Sequence, residues 1–133
     1  MTDSLKFHHI GVAVFSIEKT AKFYTDAGYV KTDTVFDPIQ RVNICFLAKD
    51  GMPTVELLEP VDETSPVNDA LRKNGVAPYH TCYEASDLTQ TAVELRKKRI
   101  FPLGEAAKAV AFGGRKVQFF YNKNIGLIEI VEK

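Results

Sequence analysis

Apolar positions recur along this chain with a period of two in some stretches and of three to four in others, and the switches divide it into elements. Residues 7–14, Phe-His-His-Ile-Gly-Val-Ala-Val, predict a strand. On it Phe7, His9, Gly11 and Ala13 share one face, while His8, Ile10, Val12 and Val14 form the other, the natural floor under a helix. Ser16 then precedes Ile17, Ala21 and Tyr24 at i, i+4 and i+7, a capped amphipathic helix that Gly28 is placed to end. Residues 29–36 and 41–48 predict strands, Asp50-Gly51 a turn, and 54–59 a further strand. The pattern then starts again. Residues 80–85 predict a strand, Asp87 caps a helix carrying Leu88, Ala92 and Leu95, and strands follow at 116–121 and 126–131. Ser65-Pro66 and Asn74-Gly75 bound a short connecting helix. The Ala-rich segment 105–111 is two-sided: repeat symmetry asks for a strand, its composition for a helix.

The recurrence is a duplication. His9 falls on His80, 71 positions on, with Ile17, Ala21 and Tyr24 on Leu88, Ala92 and Leu95 at the same offset. Val42–Phe46 laid on Val117–Tyr121 has an offset of 75, and Val55–Leu58 on Ile128–Val131 one of 73. Two such units are expected to pack about a pseudo-two-fold axis that gathers matched residues. His9, Glu56, His80 and Glu129 are therefore candidates for a single site. Strand alternation turns Glu56 away from Val55 and Leu57, and Glu129 away from Ile128 and Ile130. A carboxylate amid an apolar strand is costly unless paired or coordinated. Two imidazoles and two carboxylates suit one divalent first-row metal ion per chain, with Co, Ni, Mn, Zn and Fe all acceptable. Four protein ligands leave room for two substrate oxygens, and Glu129 and Glu56 also lie where a base is needed.

Around this set, His8 is expected to be structural and Glu59, at its strand end, solvated. Asn43 and Gln118, matched at the offset of 75, either face the cleft and bind substrate or are outward polar residues. Arg115, after Gly113-Gly114, suits a carboxylate or phosphate, or is an ordinary turn arginine. Gln40-Arg41 admits the same two readings.

Composition adds exclusions. Lys+Arg and Asp+Glu number 17 each, so no basic surplus points to nucleic acid or an anionic membrane. Arg96-Lys97-Lys98-Arg99 complements the end of a helix dipole. Cys45 and Cys82 are too few for a disulfide framework and read as buried reduced thiols. No apolar run approaches a membrane span, residues 1–6 carry no hydrophobic signal region, and a cytoplasmic location is expected.

The runs His8–Val14, Val55-Glu56-Leu57-Leu58-Glu59-Pro60, His80–Glu84 and Gly126–Val131 resemble the vicinal oxygen chelate superfamily of glyoxalase I, methylmalonyl-CoA epimerase, extradiol dioxygenases and bleomycin-resistance proteins. Through Glu56–Pro60, Ser65-Pro66 and Leu95–Ile100 the chain looks most like the epimerase branch. It departs from that branch at Tyr79, where a second histidine is usual, at Glu56, where bacterial epimerases have Gln, and near Asn43, where they carry a further acidic residue. The resemblance implies an α+β fold of two paired βαβββ modules forming a curved mixed sheet around a metal-binding cleft, with His9, Glu56, His80 and Glu129 as ligands. One domain over 1–133 is expected, with module one at about 5–60, the connecting helix at about 65–74 and module two at about 76–133. The implied activity is a metal-dependent isomerase or epimerase acting on a small molecule, with a methylmalonyl-CoA-like thioester the first candidate, in a homodimer. A glyoxalase I-like lactoylglutathione lyase is the first alternative, and a non-catalytic antibiotic- or metabolite-sequestering protein the second. A ring-cleaving dioxygenase would leave Glu56 unused.

Overall fold

The computed structural model describes residues 5–133. Its fold is mixed α+β, with three helices and ten strands among the described residues. They group into two compact units, one of His9–Tyr79 and one of His80–Lys133 together with residues 5–8.

The first unit contains β1 (Lys6–Ala13, from His9 on), α1 (Ile17–Asp26), β2 (Val30–Lys31), β3 (Val35–Asp37), β4 (Val42–Ala48), β5 (Val55–Pro60) and α2 (Val67–Asn74). β1 runs parallel to β5, β5 is antiparallel to β4, and β4 pairs with both β2 and β3. The strand expected at 29–36 is thus two short pieces. At the break, the Thr32 side chain replaces a ladder acceptor, since its Oγ1 takes the Phe46 N–H at 2.9 Å. Ser16 caps α1 by accepting from Lys19 N. Ile17 and Ala21 carry the helix onto Val12, Val14, Cys45, Leu47, Val55 and Leu57. The cap residue at the other end is Ala27, with Gly28 taking the left-handed conformation just beyond it. α2 begins after Ser65-Pro66 and stops at Gly75, as the sequence indicates.

The second unit contains β6 (Ala77–Ala85, from His80 on), α3 (Leu88–Lys97), β7 (Phe101–Pro102), β8 (Ala107–Lys108), β9 (Lys116–Asn122) and β10 (Gly126–Glu132). β6 is parallel to β10, β10 antiparallel to β9, and β7 and β8 pair with β9. Asp87 caps α3 through Gln90 N, and Leu88 and Leu95 bury against Ile100, Phe120, Ile128 and Ile130. β7 has no counterpart among the expected elements, because two residues carry no readable periodicity. The ambiguous segment resolves as β8 followed by a 3-10 turn at Val110–Phe112. Cys45 and Cys82 are buried free thiols. Among the described residues, no helix is long and apolar enough to cross a membrane.

Candidate metal-ligand pairs

In the first unit the parallel register sets Gly11 opposite Glu56. His9, two residues before Gly11, therefore shares a face with Glu56 on the adjacent strand. The opposite face of both strands is the α1 core, so His9 and Glu56 point away from the helix. His9 Nε2 and Glu56 Oε1 stand 3.2 Å apart and both residues are buried. On β4, Phe46 lies opposite Glu56 and presents its ring edge-on to His9, centroids 5.4 Å apart and planes at 68°.

The second unit repeats this arrangement. Cys82 lies opposite Glu129, which places His80 on the face of Glu129, with Nε2 and Oε1 3.5 Å apart and both residues buried. Phe119 lies opposite Glu129, its ring 5.4 Å from His80 at 89°. Ile128 and Ile130 point the other way, into the core under α3.

The first separation falls within the range for donors that share a cation, and the second lies just above it. A nitrogen and an oxygen each about 2.1 Å from one ion stand about 3.0–3.4 Å apart at octahedral or tetrahedral angles. A charge-assisted hydrogen bond within the pair would be shorter, about 2.7–2.9 Å. Two buried carboxylates also carry a large desolvation cost that a divalent ion would offset.

The other sequence-derived candidates are placed differently. The β4–β5 and β9–β10 registers equate Phe46 with Phe119, an offset of 73, so the 75-residue alignment of these strands is corrected. Asn43 and Gln118 are then not equivalent, and Gln118 corresponds to Cys45. Nor do they face the ligand pairs. Asn43 shares its face with Cys45 and Leu47, on the α1 side, where it lines a cavity of about 550 Å³ with Ile17, Glu18, Lys31, Thr34 and Glu59. Gln118 shares its face with Phe120, and its Nε2 donates to Gly104 O at 2.9 Å. The error came from matching local hydrophobic runs, whose period-two pattern reads equally well two residues out of step.

Arg115 is an ion-pair partner: its guanidinium donates to Glu84 Oε2 at 2.8 Å and lies over the Phe112 ring. Its hydrogen bonds hold the Glu84 carboxyl below the ordinary carboxylate range, against the opposing effect of desolvation. Glu84 shares the face of His80 and Cys82, so the pair sits on the ligand face, roughly 13 Å along the strand from His80. Arg41 pairs with Asp62, and hydrogen bonds from Arg41 and Thr64 hold that carboxyl far down. Glu59, expected to be solvated, is half-buried and has a structural partner: its Oε1 accepts the Ile17 N–H at 2.7 Å, at the start of α1. Glu132 does the same for Leu88 at 2.9 Å, at the start of α3. His8 packs edge-on against Phe112. Burial pushes the Cys45 thiol up, so it is protonated at neutral pH.

The chain as a whole is similar to known proteins. Residues 8–119 match the model of the Glyoxalase/Bleomycin resistance protein/Dioxygenase superfamily. The mitochondrial methylmalonyl-CoA epimerase of Mus musculus is 33% identical over 129 residues, covering 94% of this chain and 71% of that protein. The crystal structure of methylmalonyl-CoA epimerase from Mycobacterium tuberculosis superposes with a TM-score of 0.84 at 26% identity, over 95% of this chain and 86% of that one. A Streptomyces coelicolor methylmalonyl-CoA epimerase variant in complex with 2-nitronate-propionyl-CoA gives 0.83 at 27% identity, over 96% and 94%.

Proposed function

The chain belongs to the Glyoxalase/Bleomycin resistance protein/Dioxygenase superfamily, and from that premise we propose that it is an epimerase acting on a methylmalonyl-CoA-like thioester. The observation that carries this is the pair of buried histidine–glutamate couples at equivalent places in the two units. We propose that His9, Glu56, His80 and Glu129 together hold one divalent ion. Bound there, the ion would supply an electrophile that chelates two substrate oxygens and stabilises the charge left on a carbonyl oxygen when the α-proton departs.

The protein's own groups then account for the proton traffic. Inversion at carbon requires removal from one face and delivery to the other. One glutamate takes the α-proton as base, and the glutamic acid of the other unit returns a proton from the opposite side, so each ends in the other's starting state. His9 and His80 would hold position, because an Nε2 lone pair engaged by the ion cannot accept a proton.

The test incubates one epimer of methylmalonyl-CoA with the metal-loaded protein in D2O and follows α-deuterium and configuration by mass spectrometry and NMR. Deuterium exchange with loss of optical purity, absent in Glu129→Ala, is expected. Absence of exchange with bound metal present would reject the epimerase reading. Turnover of the methylglyoxal–glutathione hemithioacetal would put the lyase in its place.

A further inference from the structure

Each unit builds the same three-residue arrangement, of which only two members have a role above. Phe46 and Phe119 sit on the strand next to the ligand glutamate, directly opposite it in register. Each presents its ring edge-on to the ligand histidine with a centroid separation of 5.4 Å, in both cases closer to perpendicular than to stacked. The surrounding residues have diverged: the two strands read Val-Asn-Ile-Cys-Phe-Leu-Ala and Lys-Val-Gln-Phe-Phe-Tyr-Asn. The aromatic ring beside the imidazole has not. An imidazole on a strand rotates about two bonds, and its Nε2 reaches the position beside Oε1 only at one setting of the ring plane. An edge-to-face contact between a buried imidazole and a half-buried phenyl ring selects that setting by shape and by quadrupole, and the neighbours of a metal-bound histidine are what fix its orientation.

We infer that Phe46 and Phe119 are positioning residues, which lock the ring planes of His9 and His80 so that each histidine–glutamate couple is preset to receive a divalent ion. This rests on the metal-binding reading above, and the two can fail separately.

The experiment titrates metal-free full-length protein with Co2+ against a competing chelator. It compares wild type with Phe46→Leu, Phe119→Leu and the ring-retaining Phe46→Tyr and Phe119→Tyr. The visible ligand-field bands of the bound ion and the melting temperature of the metal-free proteins are read alongside. Each leucine variant is expected to bind Co2+ roughly tenfold more weakly, with altered ligand-field bands. Each tyrosine variant is expected to restore both. A leucine variant with wild-type affinity and bands overturns the inference, as does one whose only change is a lower melting temperature. If a leucine variant does not fold, Phe→Met replaces it under the same criteria. Wild-type protein that binds no Co2+ overturns the metal-binding reading and this inference together, whereas wild-type binding with unchanged leucine variants overturns the inference alone.

Discussion

The two units agree at some positions and disagree at others, and the division is instructive. They agree on the histidine–glutamate couple, on the phenylalanine beside it, and on the strand-end glutamate that holds the first N–H of the helix, Glu59 on Ile17 and Glu132 on Leu88. They also agree on the short strands, since β7 and β8 pair with β9 where β2 and β3 pair with β4. They disagree in what surrounds those strands: the second unit has a 3-10 turn after β8 and Arg115 anchored on Glu84, where the equivalent position of the first unit is Ala13. What a buried charged couple requires has stayed the same in both copies. The segments that can differ between copies without unsettling that couple have done so, and these are the ones suited to distinguish substrates.

Replacing matched residues in each copy sharpens this comparison. The largest effect is expected from Glu56→Ala and Glu129→Ala. Each removes a donor and a proton carrier, and α-proton exchange should fall by roughly a thousandfold, with bound metal lost in elemental analysis. Equal losses would make the units equal partners in catalysis. A strong inequality would assign the proton transfer to one unit and leave the other to hold metal. Next come the equivalent core residues Leu57 and Ile130, both fully buried. Truncating either to Ala should cost about 2–5 kcal/mol in chemical denaturation. If one is nearly silent, the cores are less alike than their packing shows.

Smaller is the helix contact. Glu59→Ala and Glu132→Ala should each cost about 1 kcal/mol, as other losses of a helix N-terminal acceptor do, and Gln at either place should recover much of it. The smallest difference belongs to the feature that only one unit has. Glu84→Gln breaks a partly exposed pair and should cost less than about 1 kcal/mol. Because Arg115 depresses the Glu84 carboxyl in the folded state, its contribution is present above the ordinary carboxylate range. It disappears as pH falls through the lowered folded value. Denaturation of wild type and Glu84→Gln across that acidic range should therefore converge at low pH. A gap that persists there would mean that packing, not charge, holds the pair.

Much of this protein was legible from its residues alone. Period-two and helical patterns, with Ser16, Asp87 and Gly75 as boundaries, located the long strands and all three helices, since each is set by interactions within a few residues. The repeat with its two histidines and two glutamates singled out the buried couples, because a charge in an apolar strand is conspicuous in sequence. Register was not legible. A strand's pattern repeats every two residues, so Phe46 matched Tyr121 as plausibly as Phe119, and only the hydrogen-bonded ladders decided it. The same ladders put Asn43 and Gln118 on the helix side, where either alignment would have left them, and set a phenylalanine beside each histidine. The reach of Glu59 and Glu132 to helix starts more than 40 residues away was equally invisible. Local chemistry is written along the chain, whereas the pairing of distant segments depends on which ladder, among several locally equivalent ones, buries the most apolar surface at once.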